Sequence, residues 1–166
     1  TSNEGERLRR GANVLHGMVV ITAVDRSERA KRAVVEAVKI ADAFGDAVHV
    51  VHVLSESEFL ELEQTEVNKS GRAVEMDRVR EHAAEIAKEA SSGATGEDGF
   101  PINVEYVGLV GDAVTRIVEH ANEQGARYVV VGPRKKSPTG KVLFGSTSQQ
   151  LLLSASCPVV VTMTES

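Results

Sequence analysis

One stretch of the chain, residues 132–148, combines glycines, hydroxyl side chains and positive charge. Gly132 and Gly145 stand at the two ends of its central loop, and a residue without a Cβ lets backbone amides come close to an anion. Ser146 to Gln149 has the S/T-x-x-E/Q form of a capping box, which predicts a helix that begins at Ser146. Because a helix N-terminus offers unpaired amides and the positive end of the helix dipole, this stretch predicts a phosphate site.

The charge distribution favours the same kind of ligand. The chain has a net charge of −5, yet no acidic residue lies between Glu123 and Glu165. That interval carries five cations, which are Arg127, Arg134, Lys135, Lys136 and Lys141. A basic stretch on an acidic body favours a small anion over a long nucleic acid, which the body would repel. A solvated basic loop explains the charge equally well, so charge alone leaves both interpretations open.

Two familiar phosphate motifs are excluded. A P-loop has four residues between its glycines and a Ser or Thr after its Lys. Gly132 and Gly140 are separated by seven residues, and Lys141 is followed by Val142. No G-x-G-x-x-G follows the first apolar run, which ends at Asp25.

Metal and thiol chemistry find little support in the sequence. The single Cys157 excludes an internal disulfide and a four-cysteine metal site, and we expect it to be a small buried side chain. The five histidines form no H-E-x-x-H motif. His49 and His52 are three residues apart in a predicted strand, so they lie on opposite faces and cannot share a metal.

Apolar, β-branched runs that predict strands alternate with segments whose apolar residues have helical spacing. The predicted strands are residues 18–24, 47–54, 101–107, 127–132 and 158–164. The predicted helices lie between Ser27 and Gly45, from 72 to 90, between Asp112 and Gly125, and from about 146 to 155. The acidic segment 55–71 is expected to be a mobile or partly helical connection, and residues 91–99 and the dozen residues after 132 to be loops.

This alternation predicts an α/β fold, an open, twisted, five-stranded parallel sheet with helices on both faces. In such sheets ligands bind outside the carboxyl ends of the strands, where the strand order reverses. Asp25 comes directly after the first predicted strand and Gly132 ends the fourth, so both stand at such an edge.

A length of 166 residues fits one domain. We place that domain at residues 18–166 and expect residues 1–17 to be a flexible tail or a segment added by cloning. No apolar run is long enough to cross a bilayer, and no secretory signal is evident. The expectation is a cytoplasmic protein with neither a membrane nor a nucleic-acid partner.

With these residues the chain resembles the universal stress protein family, whose nucleotide-binding members carry the motif G-x2-G-x9-G-(S/T). Gly132, Gly145 and Ser146 have the spacing of that motif, and Lys135 stands where the middle glycine belongs. The resemblance extends over residues 18–164 and includes four further short matches. These are Ala23-Val24-Asp25, His52-Val53, Gly111-Asp112 and Cys157-Pro158-Val159-Val160-Val161.

The resemblance implies a five-stranded parallel sheet in the order 3-2-1-4-5, which is Rossmann-like. It also implies a homodimer formed through the last strand, residues 158–164, and ATP or AMP bound between strands one and four. The sequence leaves open whether Mg²⁺ accompanies ATP. The implied nucleotide-binding residues are Ala23, Asp25, Val53, Val131, Gly132, Arg134, Lys135, Gly145, Ser146, Thr147 and Ser148.

Nine of these residues have an implied contact with a particular part of the nucleotide. Asp25 would hydrogen-bond the nucleoside, and the backbone around Ala23 and Val53 would contact adenine. Val131 and Gly132 would form the floor under the ribose and phosphates. The amides and hydroxyls of residues 145–148 would bind the phosphates.

Lys135 leaves three functions open. The Lys135 side chain would narrow the channel for the phosphates, which a glycine would leave open. Its positive charge, beside that of Arg134, would attract a phosphate. The first hypothesis is a nucleotide-binding stress-response module with little or no fast catalysis, since the sequence shows no recognisable pair of a nucleophile and its base. The second is a family member that binds no nucleotide and acts as a dimeric protein-interaction module. The third is a slow ATPase.

Overall fold

The computed structural model describes residues 18–96, 102–132, 135–136, 142–143 and 145–163. Its strands are β1 (Val19–Ala23), β2 (Ala47–Leu54), β3 (Val104–Val110), β4 (Ala126–Val131), β5 (Lys135–Lys136), β6 (Val142–Leu143) and β7 (Val159–Val161). Its helices are α1 (Glu28–Phe44), α2 (Glu56–Ser70), α3 (Met76–Ala90), α4 (Ala113–Gln124) and α5 (Ser146–Ser154). The segment 1–17 lies outside the described residues.

Five of the described strands form one parallel sheet in the order β3-β2-β1-β4-β7. Since β7 is the fifth strand of this sheet along the chain, the predicted order 3-2-1-4-5 is confirmed. Ala23 pairs with Val51 on one side of β1, and Thr22 pairs with Val130 on the other. The strand order therefore reverses between β1 and β4, and this is where the fold leaves room for a ligand.

Helices cover both faces of the sheet, as predicted. Ala33 and Val34 of α1 and Ala87 of α3 pack with Val50 of β2 on one face. On the opposite face, residues of α4 and α5 pack with the neighbouring Val51 of β2. Successive residues of one strand are thus buried on opposite faces of the sheet. This is why the strand sequences are uninterrupted apolar runs. Full burial of each such aliphatic side chain stabilises the fold by roughly 1.5–3 kcal/mol.

The acidic segment forms a regular helix, α2, so the prediction of a mobile or partly helical connection is wrong. Ser55 and Glu58 make a complete capping box at its start. Gly71, with φ of 70°, ends it in the left-handed conformation that glycine adopts without strain. No α2 residue is fully buried, and its sequence lacks the apolar periodicity that reveals a helix.

Several boundaries also differ from the prediction. The third strand, expected at 101–107, is Val104–Val110, and the fifth, expected at 158–164, is shortened to Val159–Val161. The helix expected from residue 72 begins at Met76. The segment after β4, predicted as a loop, contains the short antiparallel pair β5 and β6. No described helix has the length and hydropathy that crossing a membrane requires.

Candidate functional site

A cavity of about 240 Å³ lies at the carboxyl ends of β1 and β4, where the strand order reverses. Nine of the eleven residues predicted for the nucleotide site line it. These are Ala23, Asp25, Val53, Val131, Gly132, Gly145, Ser146, Thr147 and Ser148. The structure therefore brings together residues from four separate segments of the chain, although their contact with a nucleotide stays a prediction.

The two remaining predicted residues are cations of the segment after β4. Arg134 lies outside the described residues. Lys135 begins β5, where its backbone stands opposite Leu143 of β6. Lys135, which stands at the middle-glycine position of the motif, is therefore part of a short antiparallel strand pair.

Asp25 is held in place by the turn that follows β1. Its carboxylate accepts hydrogen bonds from the Ser27 N–H at 2.9 Å and from the Ser27 hydroxyl. Burial by itself would raise the pKa of this carboxyl group, but the two Ser27 hydrogen bonds and the nearby positive charge of Arg29 lower it below the usual 3.8. Asp25 is thus an ionised acceptor at neutral pH, with lone pairs left over for a ligand.

His52 fixes the end of β1 from the neighbouring strand. Its Nδ1 donates to the carbonyl oxygen of Val24 at 2.9 Å, and the ring is buried. The prediction that His52 packs near the strand end is therefore confirmed. The same turn is linked to the start of α2, because Arg26 pairs with Glu58 at 3.4 Å.

The N-terminus of α5 forms one wall of the cavity. Gly145 is its N-cap residue and Ser146 its first residue, and no side chain caps it, so the predicted Ser146 capping box is not formed. The Ser148 hydroxyl instead donates to the carbonyl oxygen of Gly132 at 3.2 Å, which ties the helix to the end of β4. The first amides of a helix have no acceptor within it, so those of residues 146–148 are available to an anion.

Sequence reasoning missed half of the cavity lining. The missed residues are Val24, Ser27, Arg29, Ala30, Val51, His52, Ala113, Ile117 and Leu151. Ser27, Arg29 and Ala30 belong to the turn and first helical residues after β1, and the general rule for ligands in such sheets could have found them. The apolar lining residues from α4 and α5 have the same helical spacing as ordinary core residues. No sequence signal therefore distinguishes cavity-lining residues from core residues in these helices.

Arg127 does not belong to the anion site, which corrects the charge argument. It stands at the beginning of β4, at the opposite end of the sheet from the cavity. Its guanidinium pairs with buried Asp46 and lies 4.2 Å from the ring centroid of Phe44. One of the five cations of the basic stretch therefore has a structural role.

A buried pair of histidines lies away from the cavity. His49 Nδ1 is 3.0 Å from His120 Nε2, and His49 Nε2 is 3.2 Å from a carboxylate oxygen of Glu105. Burial lowers the pKa of both imidazoles, and the neighbouring His49 lowers that of His120 further. His49 and His52 do lie apart, as predicted, and no group of three metal-ligating side chains occurs among the described residues.

Cys157 is only half-buried, not fully buried as expected.

Comparison with known proteins identifies relatives over nearly the whole chain. The model of the universal stress protein family matches residues 18–162. Universal stress protein MJ0531 of Methanocaldococcus jannaschii is 28% identical over 154 residues, which cover 93% of this chain and 85% of that protein.

Solved structures agree in fold. A universal stress protein from Archaeoglobus fulgidus is 29% identical, with a TM-score of 0.57 over 87% of this chain and 97% of that chain. A universal stress protein from the same organism in complex with dAMP is 25% identical, with a TM-score of 0.53 over 87% of this chain and 96% of that chain. The resemblance drawn from the motif residues is confirmed, and this chain belongs to the universal stress protein family.

Proposed function

We propose that this chain is an adenine-nucleotide-binding module with a stress-response or regulatory role, and that its ligand is ATP or AMP. The observation that carries the proposal is the meeting of nine predicted site residues in one cavity at the reversal of strand order. The dAMP complex of the Archaeoglobus fulgidus protein, 25% identical to this chain, supports an adenylate as the ligand class.

Each part of the nucleotide has a place in this proposal. A cavity of about 240 Å³ is small for a ligand site, so we assign it the nucleoside and put the phosphates at its rim. Adenine contacts the backbone of Ala23 and Val53, and Asp25 accepts a hydrogen bond from the ribose. The phosphates receive hydrogen bonds from the amides of residues 146–148.

The proposed module binds its ligand without fast chemistry. The Ser27 hydroxyl, which lines the cavity, already donates to Asp25, but the lowered pKa of that carboxyl group makes it a weak base for activating a serine. A Mg²⁺ ion, where ATP is the ligand, would be held mainly by the phosphates. Slow hydrolysis is compatible with this arrangement.

A cytoplasmic homodimer formed through β7 is part of the same proposal. β7 pairs with β4 on one side, and its other side has no partner strand among the described residues. Val159, Val160 and Val161 are each only half-buried. An edge strand with unpaired backbone groups and apolar side chains is suited to pairing with a second copy.

The proposal is tested by mass spectrometry of small molecules released when freshly purified protein is denatured. We expect an adenine nucleotide from the native chain and much less from Gly145→Val. Gly145 has a φ of −66° and a ψ of 159°, a conformation that valine also adopts, so the variant should fold. If neither protein releases nucleotide, and Lys135→Gly then creates affinity for ATP, the chain is the interaction module instead.

A further inference from the structure

Arg29 is a cation that lines the cavity, and the only effect described for it so far is to help lower the pKa of Asp25. It is the second residue of α1, it is half-buried, and it lines the same cavity as Asp25 and Gly145. The sequence pattern treats it only as a polar residue outside the apolar face of α1. Its place in the fold is therefore the only reason to assign it a function.

Arg29 forms no close ion pair among the described residues, although its charge is near enough to Asp25 to help lower the pKa of that carboxyl group. Arg26 pairs with Glu58 at 3.4 Å and Arg127 pairs with Asp46, whereas no carboxylate of the described residues lies within 4 Å of the Arg29 guanidinium. A cation in the first turn of a helix also faces the positive end of the helix dipole. Both unfavourable effects diminish when an anion binds beside Arg29.

Arg29 stands close to the proposed phosphate position. A Cβ on Gly132 would be 3.5 Å from the carbonyl oxygen of Arg29, and the Ser148 hydroxyl donates to the carbonyl oxygen of the same Gly132. The first turns of α1 and α5 therefore border Gly132 together. From this position we expect the long side chain of Arg29 to reach an anion that binds to the amides of α5.

We propose that Arg29 is a phosphate-binding residue of this cavity, and that its guanidinium pairs with a phosphate group of the bound nucleotide. The inference rests on the proposed function and adds a charged ligand to it. Arginine suits this role because its planar fork matches the oxygens of a phosphate and stays protonated. A competing role is to keep Asp25 ionised and in place, in which case Arg29 would act on the nucleoside and not on the phosphates.

The two roles are separated by comparing adenosine with ATP. Dissociation constants are measured by NMR titration, which reaches the millimolar range, for the native chain, Arg29→Met and Arg26→Met. Arg26→Met is the matched control, because it removes the same charge from a position three residues earlier, where the side chain is 62% exposed and outside the cavity lining. We expect Arg29→Met to weaken ATP binding about tenfold or more and adenosine binding by less than about twofold. Arg26→Met should change both by less than about twofold.

Three results would overturn the assignment while leaving the proposed function intact. An equal loss for adenosine and ATP would mean that Arg29 acts through Asp25. An unchanged affinity for ATP in Arg29→Met would show that Arg29 does not contact the nucleotide. An equal loss of affinity in Arg26→Met would show that the effect comes from the overall charge of the protein. A native chain that binds neither ligand would instead contradict the proposed function, and this inference with it.

Discussion

The carboxylate of Asp25 has a fixed orientation before any ligand arrives. Ser27 provides two hydrogen bonds to it, and its lowered pKa keeps it ionised at neutral pH. Such preorganisation reduces the entropic cost of binding, because the acceptor is already aimed at the cavity. We therefore expect the loss of the Asp25 carboxylate to weaken ligand binding more than it lowers the stability of the fold.

We expect Asp25→Ala to weaken nucleotide binding about tenfold or more, since a hydrogen bond to a charged group is worth roughly 1.5–3 kcal/mol. Asp25→Asn is the matched variant, because the amide oxygen still accepts from Ser27 and only the charge is lost. It should bind with intermediate affinity. Titration calorimetry with AMP measures the affinity of both variants. An unchanged affinity in Asp25→Ala would show that this carboxylate does not contact the nucleotide.

The His49–His120 pair makes stability depend on pH. Burial lowers the pKa of both imidazoles from the 6.5 that they have in the unfolded chain, so the unfolded state binds more protons in mildly acidic solution. The contribution of the pair is complete above about pH 6.5 and decreases as pH falls towards the lowered pKa values. The carboxyl groups with lowered pKa, such as Asp25 and Glu58, have the same effect only below about pH 4.5.

We therefore expect the free energy of unfolding in urea to decrease from pH 7.5 to pH 5.0. His120→Leu should show a smaller decrease, because one of the two imidazoles is gone. If the native chain is equally stable at both pH values, the pair does not titrate as its burial implies.

Among the elements, α3 and β3 come closer together than any Cβ between them would allow. A Cβ on Gly108 would be 1.9 Å from the carbonyl oxygen of Arg80 and 2.6 Å from the backbone N of Ala84. Both are backbone atoms of a helix, which cannot move aside as a flexible side chain can. The absent side chain of Gly108 thus sets how α3 packs on the sheet.

Gly108→Ala should lower the free energy of unfolding by about 3 kcal/mol, as expected for overpacking against rigid atoms. Gly71→Ala is the control, because nothing lies within 4 Å of a Cβ there and only its φ of 70° opposes a side chain. That change should cost about 1 kcal/mol. Urea denaturation measures both, and equal losses would contradict the account of the α3–β3 contact.

Helices with a buried apolar face were predictable, and α2, which has no buried residue, was not. The ends of α1 and α4 follow from Gly45, Asp112 and Gly125, which occur where the apolar periodicity begins or stops. α2 was missed because its Ser55–Glu58 capping box precedes a segment with no buried face. Strand ends were misplaced by up to three residues, since apolar composition does not show where the hydrogen-bonded ladder of a strand begins and ends.

At the scale of the molecule, the parallel order of the strands assembles the cavity from distant segments. The rule for open sheets predicted where the cavity would lie, and the family resemblance supplied lining residues such as Asp25 and Gly145. Neither could reveal Arg29, because a half-buried cation on the polar side of an amphipathic helix looks like any solvated residue. Nor could local charge show that Arg127 lies at the far end of β4 with Asp46.

The proposed dimer depends on the free edge of β7. The Val129 N–H donates to Pro158 and the Thr162 N–H donates to Val131, so alternate residues of β7 face β4 and the N–H of Val161 faces outward. Val161→Pro removes that donor without touching the β4 ladder.

We expect Val161→Pro to sediment as a monomer and Val161→Ala, which keeps the N–H, to remain a dimer at the same concentration. Analytical ultracentrifugation distinguishes the two. A native chain that is monomeric, or a proline variant that stays dimeric, would rule out pairing through this edge.

The most direct test of the account is a calorimetric titration of the native chain with ATP. We predict a saturable isotherm with one nucleotide per chain, because the cavity between β1 and β4 occurs once in each domain. No heat of binding at millimolar nucleotide would contradict it, and the cavity would then need another ligand.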